Sequence, residues 1–148
     1  MSIIALSIPM LLAAQPAPGG IPRGAVGPVM FACTPAARLV AAKQLAKPFD
    51  AEEGLVHRDI KAASCVATGP VFGEPWILTM RDDTACAAGK KRFGAFAKAR
   101  VGIWRSLTDV RVCAAKVALS DKARGPGLPV LIIDGRAYQQ PDGTYRLR

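Results

Sequence analysis

The sequence is short of most of the features from which a function is usually read. It holds a single histidine, His57, and few aromatic residues: two tryptophans, two tyrosines and five phenylalanines in 148. Its four cysteines form no Cys-x-x-Cys pair, the close ligand spacing on which zinc sites usually rely, so a metal centre is not expected. No period of the solenoid kind recurs, which excludes a repeat array. No apolar run reaches the length of a membrane-spanning helix, so a transmembrane span in the mature chain is not expected either. Acidic residues are scarce, 11 against 20 Lys and Arg, leaving a formal net charge of +9.

What is present bounds the architecture. A hydrophobic content of 51%, carried by alanine and valine more than by aromatics, is enough for one core, and 148 residues suit one domain. The positive charge is uneven. Residues 81–124 hold eleven Lys or Arg against Asp82, Asp83, Asp109 and Asp121, and eleven minus four gives +7; residues 1–80 and 125–148 add +1 each. A field gathered in this way concentrates anionic partners, whether lipid headgroups, acidic glycans or nucleic acid. It also suits a solvated face that only aids solubility.

The N-terminus bears on the compartment. Residues 3–14 are almost wholly apolar, short for a bilayer span and suited to the core of a secretory signal, with Ala13 and Ala14 before a cleavage point near Gln15. No Lys or Arg precedes the run, and Pro9 interrupts it. Residues 15–28 carry Pro16, Pro18, Pro22 and Pro28 with four glycines, the composition of an extended linker. The expected organisation is a signal peptide over 1–14, a Pro/Gly-rich linker over 15–28 and a single domain over 29–148, in a periplasmic or secreted protein. An even number of dispersed cysteines agrees with that compartment, where disulfides are the default. Of three connectivities, Cys33–Cys65 and Cys86–Cys113 are favoured, and loops of this size contribute roughly 3.5 kcal/mol each in the chain-entropy model.

Local patterns give the elements. Thr34 as N-cap and Pro35 at the first helical position open a helix that Pro48 stops, with Leu39, Val40 and the stem of Lys43 on its buried side. Residues 50–54 read as a polar connection, 60–69 as a strand, 70–74 as a hairpin loop and 75–80 as a second strand. Asp82 or Asp83 is placed to cap a helix from near Thr84 to about Ala99, weakened by Gly89 and Gly94. Residues 110–119 read as a strand and 120–128 as a loop. A strand over 129–133, the Asp134-Gly135 turn, a return over 136–139 and a second turn at 141–143 make a C-terminal meander, with Tyr138 facing Tyr145. Together these predict a small single α+β domain, an antiparallel sheet with about two helices, stabilised by two disulfides.

On a helical wheel for residues 90–105, Phe93, Phe96, Ala97 and Trp104 share one side, with Lys90, Lys91 and Lys98 mostly opposite. Such basic amphipathic segments lie on anionic surfaces or grip phosphates, so Lys90, Lys91, Arg92, Lys98, Arg100 and Arg105 are the anion-binding candidates. The same pattern also describes an ordinary helix with two core phenylalanines and a wet lysine side.

Catalytic chemistry has weaker support. His57-Arg58-Asp59-Ile60-Lys61 resembles the catalytic loop of protein kinases, but Ser64 stands where that loop carries its metal-binding Asn, and no Asp-Phe-Gly follows. Residues 29–36 resemble the strand, active-site cysteine and helix start of thioredoxin-like proteins, and Gly127-Leu128-Pro129 before the hairpin is similar to their proline segment. That resemblance implies a reactive thiol at Cys33, although Ala36 replaces the resolving cysteine. His57 with a carboxylate is the remaining route, to a small hydrolase. The main expectation is a non-enzymatic binding module for an anionic partner, with no cofactor. Mass spectrometry of the exported protein checks the compartment: four blocked thiols without reductant and loss of about the first fourteen residues are expected.

Overall fold

A computed structural model of the chain describes residues 27–45, 51–71, 74–98, 102–108, 112–120 and 130–138. Among these residues it is a three-layer α+β arrangement of two helices over two antiparallel sheets. The order is β1 (Gly27–Pro28), α1 (Pro35–Lys43), α2 (Ala51–Ala62), β2 (Cys65–Val71), β3 (Glu74–Arg81) and β4 (Lys91–Lys98). Then follow β5 (Trp104–Ser106), β6 (Cys113–Ala114), β7 (Val117–Ser120), β8 (Val130–Ile133) and β9 (Arg136–Tyr138). The larger sheet runs β2-β3-β4-β5, with β6 also on β4; the smaller runs β1-β7-β8-β9.

The larger sheet is covered on both faces, and its register shows how. Trp76, Leu78 and Met80 of β3 lie beside Ala97, Ala95 and Phe93 of β4, and all six face the smaller sheet. There they meet Val117 and Leu119 of β7, Leu131 and Ile133 of β8, and Tyr138 of β9. The alternate positions, Ile77 with Phe96, face the helices and pack with Val66, Trp104, Ala41, Val56, Ile60 and Ala63. Side chains alternate across a strand, so one chain segment feeds two cores.

The helices follow from their sequences. Thr34 accepts a hydrogen bond from the Ala37 N–H at 3.2 Å and Pro35 sits in the first turn, as the capping pattern requires. Helix α1 buries Ala41, while Leu39 and Val40, expected inside, are 57% and 54% exposed. The reason is spacing: a nine-residue helix resting on one small residue turns its larger neighbours outward. Helix α2 buries Val56 and Ile60 at i and i+4, and Ala63, the residue after its end, continues the stripe at i+7. It replaces both the polar connection expected over 50–54 and the first residues of the strand expected over 60–69. The strand proper starts at Cys65 and turns back as a hairpin, Val71 pairing with Glu74.

The expected helix over 84–99 is the largest correction. Asp83 does accept the Ala85 N–H at 2.9 Å, but it caps a turn, which ends at Gly89 with φ +79 and gives way to strand β4. The strand expected over 110–119 is broken into β6 and β7 around Ala115 and Lys116. Gly27–Pro28, expected in the linker, pairs with Leu119 and Ala118. Asp134-Gly135 forms the expected turn between β8 and β9, with φ +50 and +81, as a two-residue hairpin of primed type requires. Of the loop expected over 120–128, Ser120 ends β7 and the rest lies outside the described residues, as do the expected second turn with Tyr145 and the expected signal.

Both disulfides have the expected partners, Cys33–Cys65 and Cys86–Cys113. The first joins the residue before the α1 cap to the first residue of β2, so the loop it closes contains both helices. The second ties the turn before β4 to β6.

One notch fixes how α2 sits on the sheet. Asp59 reaches down from α2 to accept the hydroxyl of Thr79, which is fully buried on β3, at 2.6 Å. The position beside Thr79 on β4 is Gly94, where an added Cβ would lie 2.7 Å from Thr79 Oγ1, 2.9 Å from Asp59 Oδ2 and 3.0 Å from Phe96 Cζ. Gly94→Ala is expected to destabilise the fold by about 1–3 kcal/mol through overpacking. Gly54→Ala, in α2 with nothing within 4 Å of the new methyl, is expected to stabilise it by about 0.5–1 kcal/mol. Urea denaturation of the two variants checks both signs.

Candidate functional site

The basic residues expected to bind anions are in part already matched to acids. Lys90 Nζ lies 2.8 Å from Asp134 Oδ2, and Lys91 Nζ lies 2.7 Å from Asp82 Oδ1. Arg92 grips Asp83 with both Nε and Nη2 at 2.7 Å, in a pair mostly withdrawn from solvent. Arg81 links the same Asp83, at 3.8 Å, to Asp59 at 3.4 Å. Because Lys91, Arg92, Phe93 and Phe96 stand on strand β4 and not on a helix, the two phenylalanines enter different cores and no basic amphipathic face exists there. Lys98 is partly exposed at the end of β4, Arg105 is exposed on β5, and Arg100 lies outside the described residues.

These pairs act as fasteners. Asp134 also accepts the backbone N–H groups of Ala115 and Lys116, at 2.9 and 2.8 Å, so one carboxylate holds the β8–β9 turn, the β6–β7 corner and the start of β4. Partial burial acts to raise its pKa, but Lys90 and the two backbone donors outweigh that and hold it below the ordinary carboxylate value. Asp83 is also lowered, first by the Ala85 N–H and then by Arg92.

A different set of basic groups converges where the helices meet. Pro35, Arg38, Leu39, Ala42 and Leu45 on one side, and His57, Arg58, Ile60 and Lys61 on the other, line a groove of about 440 Å³. On α1 and just past its end the lining falls at residues 35, 38, 39, 42 and 45, a stripe along one helical face. On α2, Arg58 and Lys61 are exposed at i and i+3. No described acidic side chain lines the groove. The side chains of Glu52 and Glu53 lie outside the described residues.

Arg38 is anchored there through Nη1, which donates to the carbonyl of Ala63 at 3.3 Å just beyond the C-terminus of α2. A guanidinium at that end satisfies a carbonyl and complements the helix dipole. Its Nε, and Nε2 of His57, are buried with no hydrogen-bond partner. Arginine Nε carries only a donor, so a buried one without an acceptor is an exception that calls for explanation.

Of the groove's polar residues the sequence marks only His57 as a candidate, and none of Arg38, Arg58 or Lys61. Their segment has a net charge near zero, and that sum hides the clustering. The signal available was the pair of helical stripes, lost once α2 was read as connection and strand. Among the described residues the catalytic alternatives are not brought together: Asp59 is bonded to Thr79 and Arg81, and no described carboxylate shares the groove with the imidazole. Cys33 is bridged to Cys65, and no free cysteine is present among the four. Among the described residues no three His, Cys, Asp or Glu side chains gather as a metal site would require, and no helix is long and apolar enough to cross a membrane. Comparisons with protein-family models, curated proteins and solved structures find no match to this chain.

The lowered carboxyls set a direction for acid sensitivity. A group whose folded pKa lies below its unfolded value stabilises fully above the unfolded pKa, and that contribution is lost as pH falls through the folded one. Asp134→Asn keeps an acceptor for the two backbone donors and tolerates the positive φ, so it removes the charge alone. The variant is expected to be about 0.5–1 kcal/mol less stable than the parent at neutral pH. That difference should narrow as the pH is lowered from neutral through the lowered folded pKa of the parent's carboxyl, and a series of urea titrations at falling pH checks the direction.

Proposed function

We propose that the chain is an exported, disulfide-stabilised basic protein that binds an anionic partner through the groove between α1 and α2. The observation that carries this reading is the convergence of Arg38, Arg58, Lys61 and His57 on one groove that no described acidic side chain lines. Basic groups in a concave, partly apolar setting attract anions more strongly than the same charges spread over a convex surface. The groove also stands on a fixed frame. Its two helices lie inside the Cys33–Cys65 loop, α2 is pinned to the sheet at Asp59 and Thr79, and Arg38 joins α1 to the end of α2.

Export is supported by the bridging of all four cysteines, which persists in oxidising compartments, together with the apolar N-terminal run. Binding is favoured over catalysis because, among the described residues, the groove sets no nucleophile and no carboxylate beside its histidine. The basic cluster at Lys90, Lys91 and Arg92 belongs in this reading to the frame rather than to the binding surface, since each member meets an aspartate.

Chromatography on an immobilised sulfated glycan tests the proposal. Neutralising Arg58 and Lys61 together to glutamine should lower the salt needed for elution and leave the melting temperature unchanged, because both side chains are exposed and pair with no described acid. Lys90→Gln should lower the melting temperature with a smaller effect on elution. Equal elution of the parent and the Arg58, Lys61 variant would remove the groove from the binding surface.

A further inference from the structure

Exposed apolar side chains gather on the helical layer. Among the described residues four large ones are exposed, Met30, Leu39, Val40 and Leu55, and three of these stand on α1 and α2. Leu39 lines the groove, but Val40 and Leu55 lie outside it, so a ligand confined to the groove leaves both in water. The exposed charged side chains described on the same two helices, Lys43, Arg58 and Lys61, are all basic. Asp59, the acid described there, is held by Thr79 and Arg81 of the sheet. Resting on the anion-binding reading above, we propose that the partner is the anionic surface of a phospholipid bilayer, against which the helical layer lies.

Helix geometry sets these side chains for such a surface. Ala41, with Ala37 and Leu45 partly buried beside it, marks the side of α1 turned to the sheet, and Val56 and Ile60 mark that of α2. At about 100° per residue, Leu39 and Lys43 on α1 and Arg58 on α2 then point away from the sheet. Val40 and Leu55 fall on the outer flanks, each on the side of its helix away from the groove. A helix with its side chains is about 10 Å across, and one lying in a membrane interface sinks about 5–10 Å. The flanks therefore meet the acyl boundary once the outward face is among the headgroups, where the lysines and arginine find phosphates and lay their stems on apolar surface. A water-soluble polyanion, whether glycan or nucleic acid, answers the charge and leaves the three apolar side chains in water. An anionic bilayer covers both. The net charge of +9 adds attraction toward it.

Cosedimentation of the exported, oxidised protein with vesicles tests the proposal, with the immobilised sulfated glycan as the comparison. Partitioning onto phosphatidylglycerol vesicles should exceed that onto phosphatidylcholine vesicles at least about tenfold at low salt, and this comparison needs no variant to fold. Val40→Ser together with Leu55→Ser should weaken partitioning onto phosphatidylglycerol about fivefold and leave elution from the glycan unchanged, because neither side chain lines the groove. Arg58→Gln with Lys61→Gln should lower binding to both. Leu55→Trp should be quenched by brominated phosphatidylglycerol beyond the parent, whose two tryptophans are buried. Equal partitioning onto the two lipids, indifference to the Val40 and Leu55 changes, or a Leu55→Trp quenched no more than the parent overturns the docking. Retention by the glycan without vesicle binding removes the bilayer and leaves the anion-binding reading standing. If neither vesicles nor glycan hold the protein, both fall.

Discussion

The β3–β4 pair has water on neither face, and the other elements take their places from that constraint. A strand open to solvent on one side sorts its residues into wet and dry; here each strand sorts them between two dry cores. Trp76, Leu78 and Met80 supply one core and Ile77 the other, so both the helices and the smaller sheet are needed to cover what this pair would expose. The one polar side chain buried at its centre is Thr79, and its hydroxyl is answered by Asp59 from α2. That contact needs the space left by Gly94. A missing side chain on the sheet, a hydroxyl beside it and a carboxylate above it therefore set the depth and rotation of α2, and with them the line along which Arg58 and Lys61 emerge.

The ion pairs divide the positive charge into two populations. At the start of β4, lysine and arginine are spent on aspartates that hold turns and corners, and their effect is on shape. Between α1 and α2, basic groups face an open groove. The net charge of a segment does not distinguish the two. Residues 81–124 have the large excess, and there Arg81, Lys90, Lys91 and Arg92 are paired; residues 1–80 are almost balanced, and there the groove is basic.

Much of the fold was legible where a residue type has one conformational use. Thr34-Pro35 opens a helix, Asp134-Gly135 turns a hairpin, and four dispersed cysteines pair with their sequence neighbours. Residues 91–98 were misread because Phe93 and Phe96, three apart, satisfy a helical wheel; in a strand with two buried faces both are inside as well, and alternation loses its contrast. The two glycines counted against that helix were the better evidence, one needed at positive φ and the other as the notch. In α2 the spacing of Val56, Ile60 and Ala63 was present, but Gly54 and the β-branched residues masked it. The site was lost with that helix, since a groove between two helices is invisible when one of them is not recognised. His57 alone was noticed, as a residue without companions.

The two disulfides close loops that follow one another along the chain and neither overlap nor nest. A polypeptide that enters an oxidising compartment N-terminus first presents Cys33 and Cys65 before Cys86, and Cys113 last. An oxidant that joins cysteines in their order of arrival therefore makes the native set directly. In that order the helical layer would close before the second half of the larger sheet arrives. Reshuffling, which chains with interleaved bridges must undergo at the speed of thiol–disulfide exchange, would then have no mispaired bond to correct.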